Sequence, residues 1–99
     1  MFARLTIFRI SPDRIDEATK RYKESVLPAA REQRGYRGAN VMVDRNTGDA
    51  VTITLWESEE DAVANEKNLY YQEQVVKFRT FYKKPPIREG YEVVIRDLK

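Results

Sequence analysis

Apolar and polar residues alternate from Phe2 to Ile10 with the two-residue period of a strand, and the run is rich in β-branched and aromatic side chains. The alternation breaks at Ser11-Pro12-Asp13. There a capping serine, a proline suited to the first helical position and a first-turn acid predict a helix start. Ile15, Ala18, Tyr22, Val26 and Ala29 then recur every three or four residues as one apolar stripe, and Ile10 is spaced to staple against Ile15. Pro28 lies inside this stripe with no N–H to donate, which predicts a kink or a restart. Arg31 and Arg34 followed by Gly35 predict a basic last turn and a glycine C-cap.

Residues 39–44 and 50–56 return to strand patterning, and Arg45-Asn46-Thr47-Gly48-Asp49 between them supplies Asn and Gly for a tight antiparallel hairpin. Ser58 caps a second helical region, with Glu59, Glu60 and Asp61 in its first turn. The stripe of this region changes phase near Asn65–Asn68, which predicts two shorter helices reaching Tyr82. Pro85-Pro86 ends it, and residues 91–96 read as the last strand. The order is βαββαβ: an α+β fold in one domain over residues 1–99.

Strand parity then decides what the sheet needs. In the first strand Phe2, Arg4, Thr6, Phe8 and Ile10 oppose Ala3, Leu5, Ile7 and Arg9. In the third, Val51, Ile53 and Leu55 oppose Thr52, Thr54 and Trp56, and in the last Tyr91, Val93 and Ile95 oppose Val94. Both faces are largely apolar. Right-handed crossovers put the helices on one face only. The other would be a large exposed apolar patch of a kind that soluble monomers rarely carry. A homodimer formed through that sheet face is the expected solution.

Composition narrows the chemistry. Of the 99 residues 41% are hydrophobic and 34% charged, and 18 basic against 16 acidic side chains leave a formal charge of only +2, too weak to predict nucleic acid or an anionic membrane as partner. The chain has neither cysteine nor histidine. A thiolate nucleophile, a disulfide, a cysteine-ligated metal and the commonest general base are therefore excluded, and no metal site is expected. No continuous apolar stretch resembles a signal peptide or a membrane span, so a cytoplasmic location is expected. Neither an RNA-recognition strand motif nor a phosphate-binding glycine loop is present.

Three segments carry a resemblance. Val26-Leu27-Pro28-Ala29-Ala30-Arg31-Glu32-Gln33 with Gly35-Tyr36-Arg37-Gly38, then Ile53-Thr54-Leu55-Trp56-Glu57-Ser58-Glu59-Glu60-Asp61-Ala62, and Tyr91-Glu92-Val93 together resemble the antibiotic biosynthesis monooxygenase domains. The resemblance implies a ferredoxin-like fold with an antiparallel sheet, pairing into a dimeric α+β barrel. Activities in that family include oxidation of phenols or quinols by oxygen with no cofactor, isomerisation and haem degradation. Haem-degrading members combine an Asn on the first strand, a Trp on the third and an iron-ligating His on the next helix. Here those positions hold about Thr6, Trp56 and Glu66, so haem degradation is not expected.

The candidate substrate-binding residues are Trp56, Tyr71, Thr6 and Arg4. Trp56, the one tryptophan, shares its face with Thr52 and Thr54, and on a helix-facing side it would line the cavity that the resemblance implies; its plainer role is a core anchor. Thr6 and Arg4 share the matching parity of the first strand, where a charge must pair, meet a ligand or snorkel to solvent. Tyr70, Tyr71, Phe78, Phe81 and Tyr82 make the second helical region aromatic, which suits a flat hydrophobic ligand, with Tyr71 the expected pocket hydroxyl. Glu59, Glu60 and Asp61 read as helix-dipole partners. The expected function is cofactor-independent, monooxygenase-like chemistry on a flat aromatic or quinol-type molecule, with no catalytic residue assigned. The alternative is a non-catalytic dimeric module that binds a small molecule or a partner.

Overall fold

A computed structural model of the chain describes residues 1–67, 73, 76 and 79–99. β1 (Phe2–Arg9) runs up the middle of a four-stranded sheet of order β2-β3-β1-β4, in which every neighbour is antiparallel. β2 spans Tyr36–Val43, β3 Asp49–Trp56 and β4 Ile87–Glu92. This is the α+β arrangement expected from the order of the elements, in the ferredoxin-like form that the resemblance implied.

After Ser11 the chain makes a 3-10 turn at Pro12–Arg14, with Arg14 N–H donating to the Ser11 carbonyl at 2.9 Å. α1 (Ile15–Arg21) follows, then a π-helical turn at Tyr22–Val26, then α2 (Leu27–Arg31). The restart predicted at Pro28 takes this form. A proline cannot bond four residues back, and the widened turn just before it lets Leu27 N–H reach the Tyr22 carbonyl while Pro28 falls in the first turn of α2. Gly35 ends the segment with φ +80°, and a Cβ there would lie 2.2 Å from the Asp61 carboxylate, so only glycine fits. Ile10, Ile15, Ala18 and Phe81 form the buried core, with Phe8, Val43 and Tyr82 packed against it.

The hairpin between β2 and β3 closes through Asp44. Its backbone exchanges bonds with Gly48 and Asp49, and its carboxylate accepts from the N–H groups of Asn46 and Thr47. α3 (Glu59–Lys67) starts on Ser58, whose hydroxyl accepts from Asp61 N–H at 3.1 Å. Continuation toward Tyr82 falls mostly outside the described residues. No helix among the described residues is long and apolar enough to cross a membrane.

β2 begins at Tyr36, three residues before the expected 39, and the last strand differs more. The last strand is Ile87–Glu92, not residues 91–96. Its partner explains the shift: Phe2 pairs with Glu92 and Val93 N–H meets the Met1 carbonyl, so β1 has no backbone left for later residues. Val94, Ile95 and Leu98 are apolar by composition yet exposed.

Candidate functional site

Register fixes which side chains share a face. Trp56, Thr54, Thr52 and Ala50 of β3 stand opposite Phe2, Arg4, Thr6 and Phe8 of β1, and the row continues to Arg88 and Gly90 on β4. This is the side that the helices cover. Between sheet and helices lies a cavity of about 410 Å³. Its wall is mostly apolar, with Thr6, Thr52 and Thr54 as hydroxyl floor and Asn65, Lys23 and Arg88 among its other polar groups.

Trp56 forms part of the wall and is only 3% exposed. Its indole N–H donates to Thr54 Oγ1 at 3.1 Å, and its ring meets Tyr36 edge-on, with centroids 5.7 Å apart at 77°. The indole offers a ligand its ring rather than its N–H. Tyr36 also lines the cavity, and burial pushes its phenol above the ordinary value against the opposing pull of Arg31. The hydroxyl therefore stays a neutral hydrogen-bond donor at physiological pH.

Thr6 sits in the cavity floor, paired in register with Thr52 on one side and Arg88 on the other. Arg4 has the same parity but is not part of the cavity wall. It reaches Glu66 on α3 through two hydrogen bonds, Nε to Oε1 and Nη2 to Oε2, the second at 2.9 Å. Arg88 Nη2 donates to the same Glu66 Oε1 at 3.1 Å. Gly90 makes room for this bridge: a Cβ there would lie 2.7 Å from Arg4 Nη1. The three side chains are 24%, 17% and 22% exposed for Arg4, Glu66 and Arg88, and the one carboxylate holds both guanidiniums. Tyr71, together with Tyr70 and Phe78, lies outside the described residues; Tyr82 lines the cavity and Phe81 belongs to the core.

Sequence reasoning missed Asn65, Arg88, Lys23 and Tyr36. Asn65 follows Ala62 by three residues on the buried side of α3 and is 9% exposed. Its Oδ1 is sealed from solvent and accepts no hydrogen bond from the described residues, although Asn65 borders the cavity. The signal was the polar residue continuing a buried stripe from Ala62. Arg88 escaped notice because the strand that carries it was placed four residues too late.

A four-stranded antiparallel sheet with a cavity beneath its helices, walled by a tryptophan and floored by threonines, defines an α+β domain of the ferredoxin-like class with an internal ligand-sized space. Residues 1–75 match the family model described as antibiotic biosynthesis monooxygenase, and the chain belongs to that family. Among curated proteins it is 34% identical over 55 residues to the uncharacterized protein Rv2557 of Mycobacterium tuberculosis, covering 56% of this chain but only 25% of that one. The chain thus spans about a quarter of the length of this relative. Among solved structures it resembles an antibiotic biosynthesis monooxygenase at TM-score 0.75 and 17% identity, covering 96% of this chain and 100% of the other. It also resembles a variant of SnoaB, a cofactor-independent oxygenase from Streptomyces nogalater, at TM-score 0.74 and 10% identity over 96% and 94% of the two chains. Rv0793 of Mycobacterium tuberculosis follows at TM-score 0.73 and 14% identity, with 96% of each chain covered.

Proposed function

We propose that this chain is a cofactor-independent monooxygenase-like enzyme that takes a flat aromatic or quinol-type molecule into the cavity between sheet and helices. The observation that carries the reading is the cavity itself: about 410 Å³, mostly apolar, with an aromatic wall at Trp56 and Tyr36 and hydroxyls along one floor. A ring system lying against the indole edge would leave its oxygen substituents toward Thr6, Thr52 and Thr54. Removal of a ring-carbon proton gives an electron-rich carbanion that transfers an electron to dioxygen. Recombination gives a hydroperoxide, and loss of water leaves a carbonyl, so that CH2 and O2 become C=O and H2O. The protein's part is to exclude water, orient the ring and donate a hydrogen bond from a neutral phenol such as Tyr36. Oxygen uptake across a panel of dihydroxyanthracenes and naphthoquinols tests the reading. Uptake above the uncatalysed rate is expected for at least one, and background rates throughout would overturn it.

The same reading takes the working form to be a homodimer. On the face turned away from the helices, Leu5, Ile7, Met42, Val51, Ile53 and Ile87 lie together by register, and Ile7, Met42 and Ile87 are 36%, 45% and 57% exposed. A second copy of the same face covers this surface without introducing any other chain.

A further inference from the structure

The hydroxyl floor of the cavity is not uniform. Thr54 Oγ1 is engaged on both sides, accepting from the Trp56 indole and donating to the Arg4 carbonyl at 3.5 Å. Thr6 and Thr52 stand across from each other on β1 and β3 in the same wall, and neither hydroxyl bonds to another of the described residues. α3 packs over this part of β1, because Glu66 holds Arg4, two residues before Thr6 on the same face. Asn65, the residue before Glu66, borders the cavity and is 9% exposed. Its Oδ1 is out of reach of water and has no donor among the described residues. A buried amide oxygen without a partner costs stability, which a donor carried in by a ligand recovers.

We infer that Asn65 sets the ligand specificity of the cavity: its Oδ1 accepts from a neutral O–H on the aromatic ring, so that hydroxyarenes are taken in preference to rings of the same shape that carry no donor. This rests on the cavity being the ligand site proposed above. A threonine hydroxyl both donates and accepts, so Thr6 and Thr52 serve a ring hydroxyl and a ring carbonyl alike. The Asn65 oxygen only accepts. Discrimination between a hydroxylated ring and its donor-free counterpart therefore falls to Asn65. The neutral form is the one recognised, since a phenolate has no proton to give.

The test compares 2-naphthol with 2-fluoronaphthalene, which share a ring system and nearly share a shape while only the first has a proton to donate, by equilibrium dialysis on the intact protein. The naphthol is expected to bind about tenfold tighter or more, as one hydrogen bond to a buried, unpartnered acceptor implies. Asn65→Leu is expected to bring the naphthol down to the affinity of the fluoro compound and leave the latter unchanged. Asn65→Ala, which crowds nothing and suits a helix, carries the same expectation should the leucine not be accommodated. Equal binding of the two compounds by the unaltered protein overturns the donor preference and leaves the aromatic cavity standing. Binding of neither overturns the proposed site and this inference together. An undiminished preference in either folded variant overturns the role of Asn65 and passes the discrimination to Thr6 and Thr52.

Discussion

Trp56 gives its one side-chain hydrogen-bond donor to Thr54, two residues earlier on the same face of β3, at 3.1 Å. The bond ties the largest side chain of the cavity wall to the cavity floor and keeps the indole N–H from a ligand. Thr54→Val leaves that N–H buried without an acceptor and is expected to cost about 1–3 kcal/mol of stability. Trp56→Phe removes the donor along with some packing. The double variant should then cost less than the two single costs added together, by about 1 kcal/mol. Urea unfolding of the four proteins measures the coupling, and additive costs would mean that the bond contributes nothing.

Asn65 presents the opposite case, a buried acceptor with no hydrogen-bond partner among the described residues. Such a group costs stability unless a partner such as a bound hydroxyl satisfies it. Asn65→Leu is expected to raise the stability of the ligand-free chain by about 1 kcal/mol and to weaken binding of a hydroxyl-bearing ligand such as 1,4-naphthoquinol. Thermal unfolding and anaerobic titration read the two effects separately. A variant that is less stable and binds as before would assign Asn65 to packing alone.

Tyr36 makes the alkaline limb of stability readable. Burial raises its pKa above the ordinary 10.0, so the folded chain keeps the phenol neutral at pH values where the unfolded chain ionises it. Stability is therefore full below that value and falls as the pH rises through it. Tyr36→Phe is expected to flatten the fall between neutral pH and the alkaline limit of refolding. On the acid side the sign reverses: Arg9 holds Asp49, and Arg37 holds Glu57, below the usual carboxylate range, so their contributions are lost as the pH drops. Urea midpoints across pH for both proteins check the alkaline claim, and superimposable profiles would refute it.

Much of this fold was legible because it rests on short-range signals. Ser58 and Gly35 mark helix ends by their own chemistry, and the parity of Thr52, Thr54 and Trp56 set them on one face before any pairing was known. The end of β4 was not legible, since it depends on where β1 begins, and Val94 and Ile95 look like strand residues until their missing partner is seen. The site divided the same way. Trp56 and Thr6 follow from parity, but the Arg4–Glu66–Arg88 bridge joins residues 62 and 22 apart in sequence and has no local signature. The charge on Arg4 raised the question of a partner, and only the packing of α3 over β1 answers it.

The strongest consequence of the two-faced sheet concerns Ile53. It lies on the face turned away from the helices, paired in register with Leu5 on β1 and Asn40 on β2, while its neighbour Thr52 points into the cavity. One residue of separation thus exchanges one face of the sheet for the other. In a homodimer built on the outer face, an aspartate at 53 would be an unpaired charge at the centre of the interface, at a cost of several kcal/mol. Ile53→Asp is expected to give an unfolded or aggregated chain, because the freed monomer would expose Ile7, Met42 and Ile87 to water. Thr52→Asp places the same charge on the cavity side and should disturb ligand binding with little effect on association. Light scattering on the two variants separates the cases. A soluble, well-folded Ile53→Asp monomer would show that the outer face needs no second copy and would sink the dimeric barrel.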